Sequence, residues 1–160
     1  MTDLEFELMR DGPVTKYFRA PILEEHLAAL AGLGYRVDRF ECARWVDAEV
    51  VHDDLARVLA FPDYYGRNLD ALVDCMRDLE VSEAGRVIVL SRYDVPVAAI
   101  PRVANVVLDI IAGQSWAELL FGRRLIALVQ SEDPWLELEP VGAHPARWNH
   151  REWMNASRGV

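Results

Sequence analysis

Residues 61–75 read FPDYYGRNLDALVDC, and they decide the fold because a turn passes directly into an amphipathic helix. Pro62 and Gly66 are typical turn residues, and Asn68 is of a type that caps helix N-termini. Beyond the cap, apolar residues recur at helical spacing, namely Leu69, Leu72, Val73, Met76 and Leu79. This pattern predicts a helix that buries one face.

The segments around this stretch alternate between apolar runs and helical patterns. Residues 35–40, 87–90 and 125–129 are predicted strands, residues 48–60 form a predicted helix, and a further helix over residues 101–112 is expected to end at Gly113. Strands separated by helices indicate an α/β domain with a small, largely parallel sheet. Before it, residues 4–9 and 14–18 are predicted to form a hairpin around Asp11-Gly12-Pro13, followed by a helix from Pro21 to Gly32.

The chain changes character from Ser131, where prolines interrupt it repeatedly. Three of the five tryptophans lie here, namely Trp135, Trp148 and Trp153. We predict an irregular tail that aromatic side chains anchor to the domain, with mobile final residues; a second interaction surface is the alternative.

Composition narrows the classes of function. The 160 residues are 52% hydrophobic with a mean hydropathy of +0.01, and no apolar run approaches the roughly 20 residues of a spanning helix. The acidic N-terminus does not resemble a signal peptide, so we expect a cytoplasmic protein. Cys42 and Cys75 are expected to be buried free thiols.

The negative charge is unevenly distributed along the chain. The formal net charge is -9, of which -6 lies within residues 47–80. Proteins that bind nucleic acid directly need basic patches, so that class is disfavoured. An acidic field of this kind speeds encounter with a basic protein, although an acidic face that only confers solubility is commoner.

Asp70 and Asp74 are four positions apart on the predicted helix, so their carboxylates share the side away from the apolar stripe. Arg67 and Arg77 are placed to offset the repulsion between them. The cluster could be a solvated helix face, an acid pair or metal site of an enzyme, or a surface that recognises another protein.

The enzyme interpretation has the least support. The sequence has no HExxH, P-loop, GxSxG or EF-hand pattern, and its four histidines are scattered. We therefore predict no catalytic residue, no metal ligand and no cofactor. From the residues alone the solvated helix face is favoured, and recognition is the third interpretation. It is supported by the rigid contact area that Tyr64 and Tyr65 offer, and by Gly66, which lets the backbone approach a partner closely or adopt a positive φ.

The residues of the stretch 61–75 resemble a known family, that of barstar, the intracellular inhibitor of the ribonuclease barnase. The shared signature is Pro62, Asp63, Tyr64, Tyr65, Gly66, the run Asn68 to Leu72, Asp74 and Cys75. The resemblance implies a small barstar-like two-layer sandwich, with a mainly three-stranded parallel sheet packed by helices, over residues 35–130. Residues 1–34 and 131–160 would be N-terminal and C-terminal extensions.

The resemblance also implies a function. Members of this family are inhibitors, and their loop and motif helix enter the nuclease active site and place carboxylates at the RNA phosphate positions. The partner would be a basic extracellular-type or toxin ribonuclease, with no direct contact to nucleic acid or membrane. A barstar-fold adaptor with a non-nuclease partner is the alternative.

The expected partner-binding residues are Tyr64, Gly66, Asn68, Asp70, Val73 and Asp74. Tyr64 would be an aromatic contact, Gly66 a backbone contact and Asn68 a group that fixes the loop, while Asp70 and Asp74 would face basic groups of the enzyme.

Three departures distinguish this sequence from the family pattern. Val73 stands in place of tryptophan, Arg67 stands in place of an acid, and the acid of the last helix aligns near Gly113, which has no carboxylate. Asp109 and Glu118 are the nearby acids that could replace it.

Overall fold

The computed structural model describes residues 1–153, without the side chain of Trp153. The predicted mobility of the final residues falls outside this range. Within it, no helix combines the length and apolarity needed to cross a bilayer.

Five parallel strands form one sheet in the order β2-β3-β4-β1-β5. They are β1 (Val14–Tyr17), β2 (Arg36–Glu41), β3 (Arg86–Ser91), β4 (Leu125–Gln130) and β5 (Arg147–Trp148). The predicted α/β fold with a parallel sheet is confirmed, and its three predicted strands are β2, β3 and β4. The two extensions add β1 and β5 to the same sheet; the division of the chain at residues 34 and 130 stays a prediction.

Seven α-helices surround the sheet in the described range: α1 (Asp3–Met9), α2 (Ala20–Gly32), α3 (Ala48–Val58), α4 (Leu69–Arg77), α5 (Asp94–Ala99), α6 (Pro101–Leu119) and α7 (His150–Trp153). A short 3-10 turn, Cys42–Arg44, follows β2.

The direction of the connections explains which helices cover which face. The chain steps from β2 to β3 to β4 in one direction, and α3, α4 and α6 lie along these crossovers. The connection from β1 to β2 runs the opposite way across the sheet. Since crossovers between parallel strands are right-handed, α2 must lie on the other face.

Alternation along β3 shows the two packed faces. Ile88 and Leu90 belong to the core that includes α3, α4 and α6, whereas Val87 and Val89 pack in a second core with α1 and α2. A strand that is buried on both sides is expected to be continuously apolar, as β3 is. The sheet with α3, α4 and α6 therefore forms the two predicted layers, and the N-terminal extension covers the opposite face.

The predicted N-terminal hairpin is wrong. Residues 4–9 lie in α1, which begins with a capping box in which the Thr2 hydroxyl accepts from the Glu5 N–H and the Glu5 carboxylate accepts from the Thr2 N–H. Two backbone groups at the helix start are thereby satisfied reciprocally. Residues 14–17 form β1, which pairs with β4 and β5 instead of folding back on residues 4–9.

The helix predicted to stop at Gly113 continues to Leu119. Glycine inside a helix costs up to about 1 kcal/mol relative to alanine. Beyond it, Gln114, Ser115 and Glu118 are buried, so tertiary packing of the last two turns outweighs this cost.

The tail is anchored differently from the prediction. Trp135 is 59% exposed, whereas its neighbour Leu136 is buried and its carbonyl accepts a hydrogen bond of 3.0 Å from Lys16 Nζ. The same ammonium lies 4.7 Å from the ring centroid of Trp148. Trp148 is therefore an anchor as predicted, while Leu136 takes the role expected for Trp135; the Trp153 side chain lies outside the described part of the chain.

Candidate functional site

The two adjacent tyrosines of the motif have opposite roles. Tyr65 is 8% exposed, and its hydroxyl lies 2.5 Å from Nδ1 of His52 on α3. Its ring also packs against Phe61 at 5.0 Å between centroids. Tyr64 is 82% exposed. Tyr65 thus anchors the loop of residues 62–68 to the body, whereas the side chain of Tyr64 is accessible from solvent.

The sequence motif did not reveal this anchor, because His52 lies 13 residues before Tyr65 and belongs to no recognisable pattern with it. Burial lowers the pKa of His52, and the positive charge of Arg67 lowers it further. A neutral imidazole accepts the hydrogen bond that the Tyr65 hydroxyl donates. Burial also raises the pKa of Tyr65 to about 12, so the hydroxyl keeps its proton.

The positive φ in the loop belongs to Arg67, at 54°, and not to Gly66 as one of our two explanations required. The other explanation, close approach to a partner, stays a prediction, but the structure shows a close approach within the chain. A Cβ on Gly66 would lie 3.3 Å from Cβ of Ala71, closer than most such contacts. Gly66 therefore lets the loop lie tightly over the first turn of α4.

Arg67 is tied to α3 rather than to the aspartates of α4. Its guanidinium pairs with Asp53 and lies 3.7 Å from a carboxylate oxygen of Glu49. The expected offset of the Asp70 charge by Arg67 is therefore wrong. The pairing joins loop to helix and neutralises acids that would otherwise add to the negative surface.

Asn68 caps α4 as predicted. Its Oδ1 accepts from the Ala71 N–H at 2.8 Å, and its Nδ2 donates to the Gly66 carbonyl at 3.2 Å. One side chain therefore fixes both the end of the loop and the start of the helix.

The outer face of α4 presents the predicted acids. Asp70 and Asp74 are exposed and Val73 is half-buried between them and the body. Arg77 lies 3.6 Å from Asp74, in an exposed pair of the kind that contributes little. Within residues 1–153, Asp70 forms no ion pair. Both carboxylates can therefore meet external cations at small cost.

A depression of about 640 Å³ lies beside the loop. Asp70 and Asn68 line one side, and Arg67, His52 and Arg102 line the others. The loop, the depression and the outer face of α4 together form a continuous polar surface, which we call the motif surface.

Not every acid of the central segment is available to a partner. Asp54 is 4% exposed, accepts a hydrogen bond of 2.8 Å from Trp45 Nε1, and lies 3.2 Å from Arg57. Asp47 caps α3 by accepting from the Val50 N–H. These acids stabilise the fold, so the net charge of the segment overstates the charge that a partner meets.

The two candidate replacements for the acid of the last helix also have internal partners. Glu118 is buried and bonded to Arg123 Nε at 2.5 Å and to Gln114 Nε2 at 2.8 Å. Asp109 accepts from the Gly142 N–H at 2.9 Å, which holds the tail against α6. Glu118 is therefore unsuited to replace the family's acid, and Asp109 is occupied in positioning the tail.

Two observations concern metal binding and thiol chemistry in the described region. Residues 1–153 contain no group of three or more His, Cys, Asp or Glu side chains placed to hold a metal ion. Cys42 and Cys75 are buried free thiols, as predicted. Burial, together with Asp78 and Asp74, raises the pKa of Cys75, so its thiol is not activated.

Comparison with known proteins agrees with this geometry. The profile of the family described as "Barstar (barnase inhibitor)" matches residues 35–128, more than half of the chain. The chain belongs to the barstar family. The matched region contains the motif surface, α6 and strands β2 to β4, except for the last residues of β4.

A short stretch is also similar to one curated protein. This is "Putative ribonuclease inhibitor YrdF" of Bacillus subtilis (strain 168), which is 75% identical over 28 residues. The match covers 18% of this chain and 31% of that protein, well under two thirds of its length.

Proposed function

We propose that this protein inhibits a ribonuclease by binding and blocking its active site through the motif surface. Support comes from membership of a family described as barnase inhibitors, and from the short similarity to a protein named as a ribonuclease inhibitor. Under this proposal the partner is a basic extracellular-type or toxin ribonuclease, and the inhibitor acts in the cytoplasm as an immunity protein. It binds its target and catalyses no reaction.

The observation that carries the proposal is the pair of exposed aspartates one turn apart on α4, beside the exposed ring of Tyr64. Ribonuclease active sites bind phosphates with cationic side chains, and carboxylates can take the place of those phosphates. Asn68 and the Tyr65–His52 bond fix the loop before binding, which reduces the entropy lost on association.

The test uses purified barnase and a panel of basic secreted bacterial ribonucleases, with RNA hydrolysis as the readout. We expect this protein to inhibit at least one of them at equimolar concentration. Asp74→Asn should weaken that inhibition by about 10- to 100-fold, the cost of losing a hydrogen bond to a charged group. Its thermal stability should be unchanged, because the exposed pair with Arg77 contributes little.

Glu83→Gln is the matched control, since it also removes one negative charge from an exposed side chain outside the motif surface. It should leave inhibition unchanged. Equal weakening by both variants would mean that net charge, not the motif surface, determines binding. Failure of the wild-type protein to inhibit any member of the panel would favour the adaptor alternative.

A further inference from the structure

A groove of about 640 Å³ runs between α4 and α6, directly beside the motif surface. Apolar side chains form much of its wall, namely Val73, Met76, Ile110, Ala117 and Phe121. Gly113 also lines it and leaves open space, since a Cβ there would meet nothing within 4 Å. The groove therefore lies where the resemblance aligns an acid and this chain has none.

Two large apolar side chains are exposed at the turn that follows α6. Phe121, which lines the groove, is 71% exposed, and its chain neighbour Leu120 is 85% exposed. Single exposed apolar residues are common, but adjacent ones that continue an apolar groove are typical of contact surfaces.

The groove lining includes four charged side chains, of which Arg77 pairs with Asp74 on the exposed surface, whereas Asp109, Glu118 and Arg123 have partners elsewhere. Glu118 and Arg123 bind each other at 2.5 Å, and Asp109 accepts from the Gly142 N–H. The groove therefore offers a partner mainly apolar area, whereas Asp70 and Asp74 on the neighbouring face of α4 offer negative charge.

The motif surface alone is small for a stable complex. The loop and α4 contribute residues 62–77, which number 16, and Tyr65, Leu72, Cys75 and Met76 among them are buried. The depression adds only Ala48, Glu49, Arg102, Val103 and the buried His52. A standard interface takes about 20–30 residues from each partner. Adjoining surface must contribute, and the groove shares Val73 with the motif surface.

We propose that the groove between α4 and α6, with Leu120 and Phe121, receives an apolar or aromatic side chain that the ribonuclease carries beside the basic groups of its active site. This inference rests on the proposed function and specifies the partner: cations face Asp70 and Asp74, and an apolar group faces the groove. A hydrophobic contact here provides specificity where the family pattern has a carboxylate.

The test measures the dissociation constants of variants for the ribonuclease that the wild-type protein inhibits most strongly in the panel. Phe121→Ala and Leu120→Ala should each weaken binding by about tenfold, the effect of losing part of a buried apolar side chain. Phe6→Ala is the matched control, because Phe6 is 54% exposed on α1, which packs against the opposite face of the sheet. It should bind like the wild type.

Salt separates the two parts of the interface. In about 0.5 M NaCl the loss caused by Asp74→Asn should shrink, because screening weakens the charge contact, while the loss caused by Phe121→Ala should persist. Wild-type affinity of both Phe121→Ala and Leu120→Ala, with Asp74→Asn weakened, would overturn the groove inference and leave the proposed function standing. Failure of the wild-type protein to inhibit any ribonuclease would overturn both.

Discussion

Replacing Tyr65 by phenylalanine removes one hydroxyl group and leaves the anchoring ring in place. In the folded protein this hydroxyl bonds to Nδ1 of His52 at 2.5 Å, and both side chains are buried. The substitution therefore leaves the imidazole nitrogen without its partner in a site that water does not freely reach. An unsatisfied buried polar group costs about 1–3 kcal/mol. For a chain of this length, a loss of about 2 kcal/mol lowers the melting temperature by roughly 4–8 °C.

The matched control is Tyr64→Phe, which removes the same hydroxyl from the neighbouring residue. Tyr64 is 82% exposed, so its hydroxyl remains hydrated in the folded and the unfolded protein. Its free energy of unfolding should change by less than about 0.5 kcal/mol. Circular dichroism during thermal and urea unfolding at pH 7.5 compares the two variants. Equal melting temperatures for Tyr65→Phe and Tyr64→Phe would refute the proposed anchor.

Two further predictions concern stability. Because burial lowers the pKa of His52 below its unfolded value of about 6.5, its contribution to stability is complete above that pH and is lost as pH falls through the folded pKa. Urea unfolding between pH 7.5 and 5 should show that the free energy of unfolding falls less for His52→Gln than for the wild type. Some decrease should remain in the variant, because burial also lowers the pKa of His26. An equal decrease in the two proteins would contradict this prediction. Gly113→Ala should raise the free energy of unfolding by about 0.5–1 kcal/mol, because alanine favours the helix more than glycine does and the added Cβ would meet no neighbouring atom. A lower free energy of unfolding for this variant would show that the added methyl group does not fit.

The motif helix was predictable because its local signals agree. Asn68 supplies the cap, and apolar spacing fixes the buried face. These interactions lie within a few residues of one another, so the sequence displays them directly. The exposure of Asp70 and Asp74 follows from the same periodicity.

The prediction of an N-terminal hairpin was wrong because residues 2–9 fit two competing patterns. Leu4, Phe6 and Leu8 alternate with polar residues as in a strand, whereas Thr2 and Glu5 have the spacing of a capping box. The capping box decides the outcome, and only Leu8 of the alternating residues is fully buried. The capping-box spacing of Thr2 and Glu5 is therefore the local signal that indicates the helix.

Other features depend on contacts between distant parts of the chain. The bond from Tyr65 to His52 and the pairing of Arg67 with α3 join segments that share no sequence pattern. The last turns of α6, beyond Gly113, contact the C-terminal tail, where the Trp116 and His144 rings lie 5.7 Å apart. Such features appear only once the chain has been placed in three dimensions.

The position of β1 between β4 and β5 has a consequence for the order of folding. Residues 14–17 are made before their partners, which are residues 127–130 and 147–148. The long segment between residues 17 and 127 must form a closed loop before β1 pairs with β4, and such non-local pairing slows folding. During synthesis β2 and β3 can pair before β4 is made, whereas β1 has to wait for β4 and then for β5. Completion of the five-stranded sheet therefore depends on strands that follow the segment with the acidic motif.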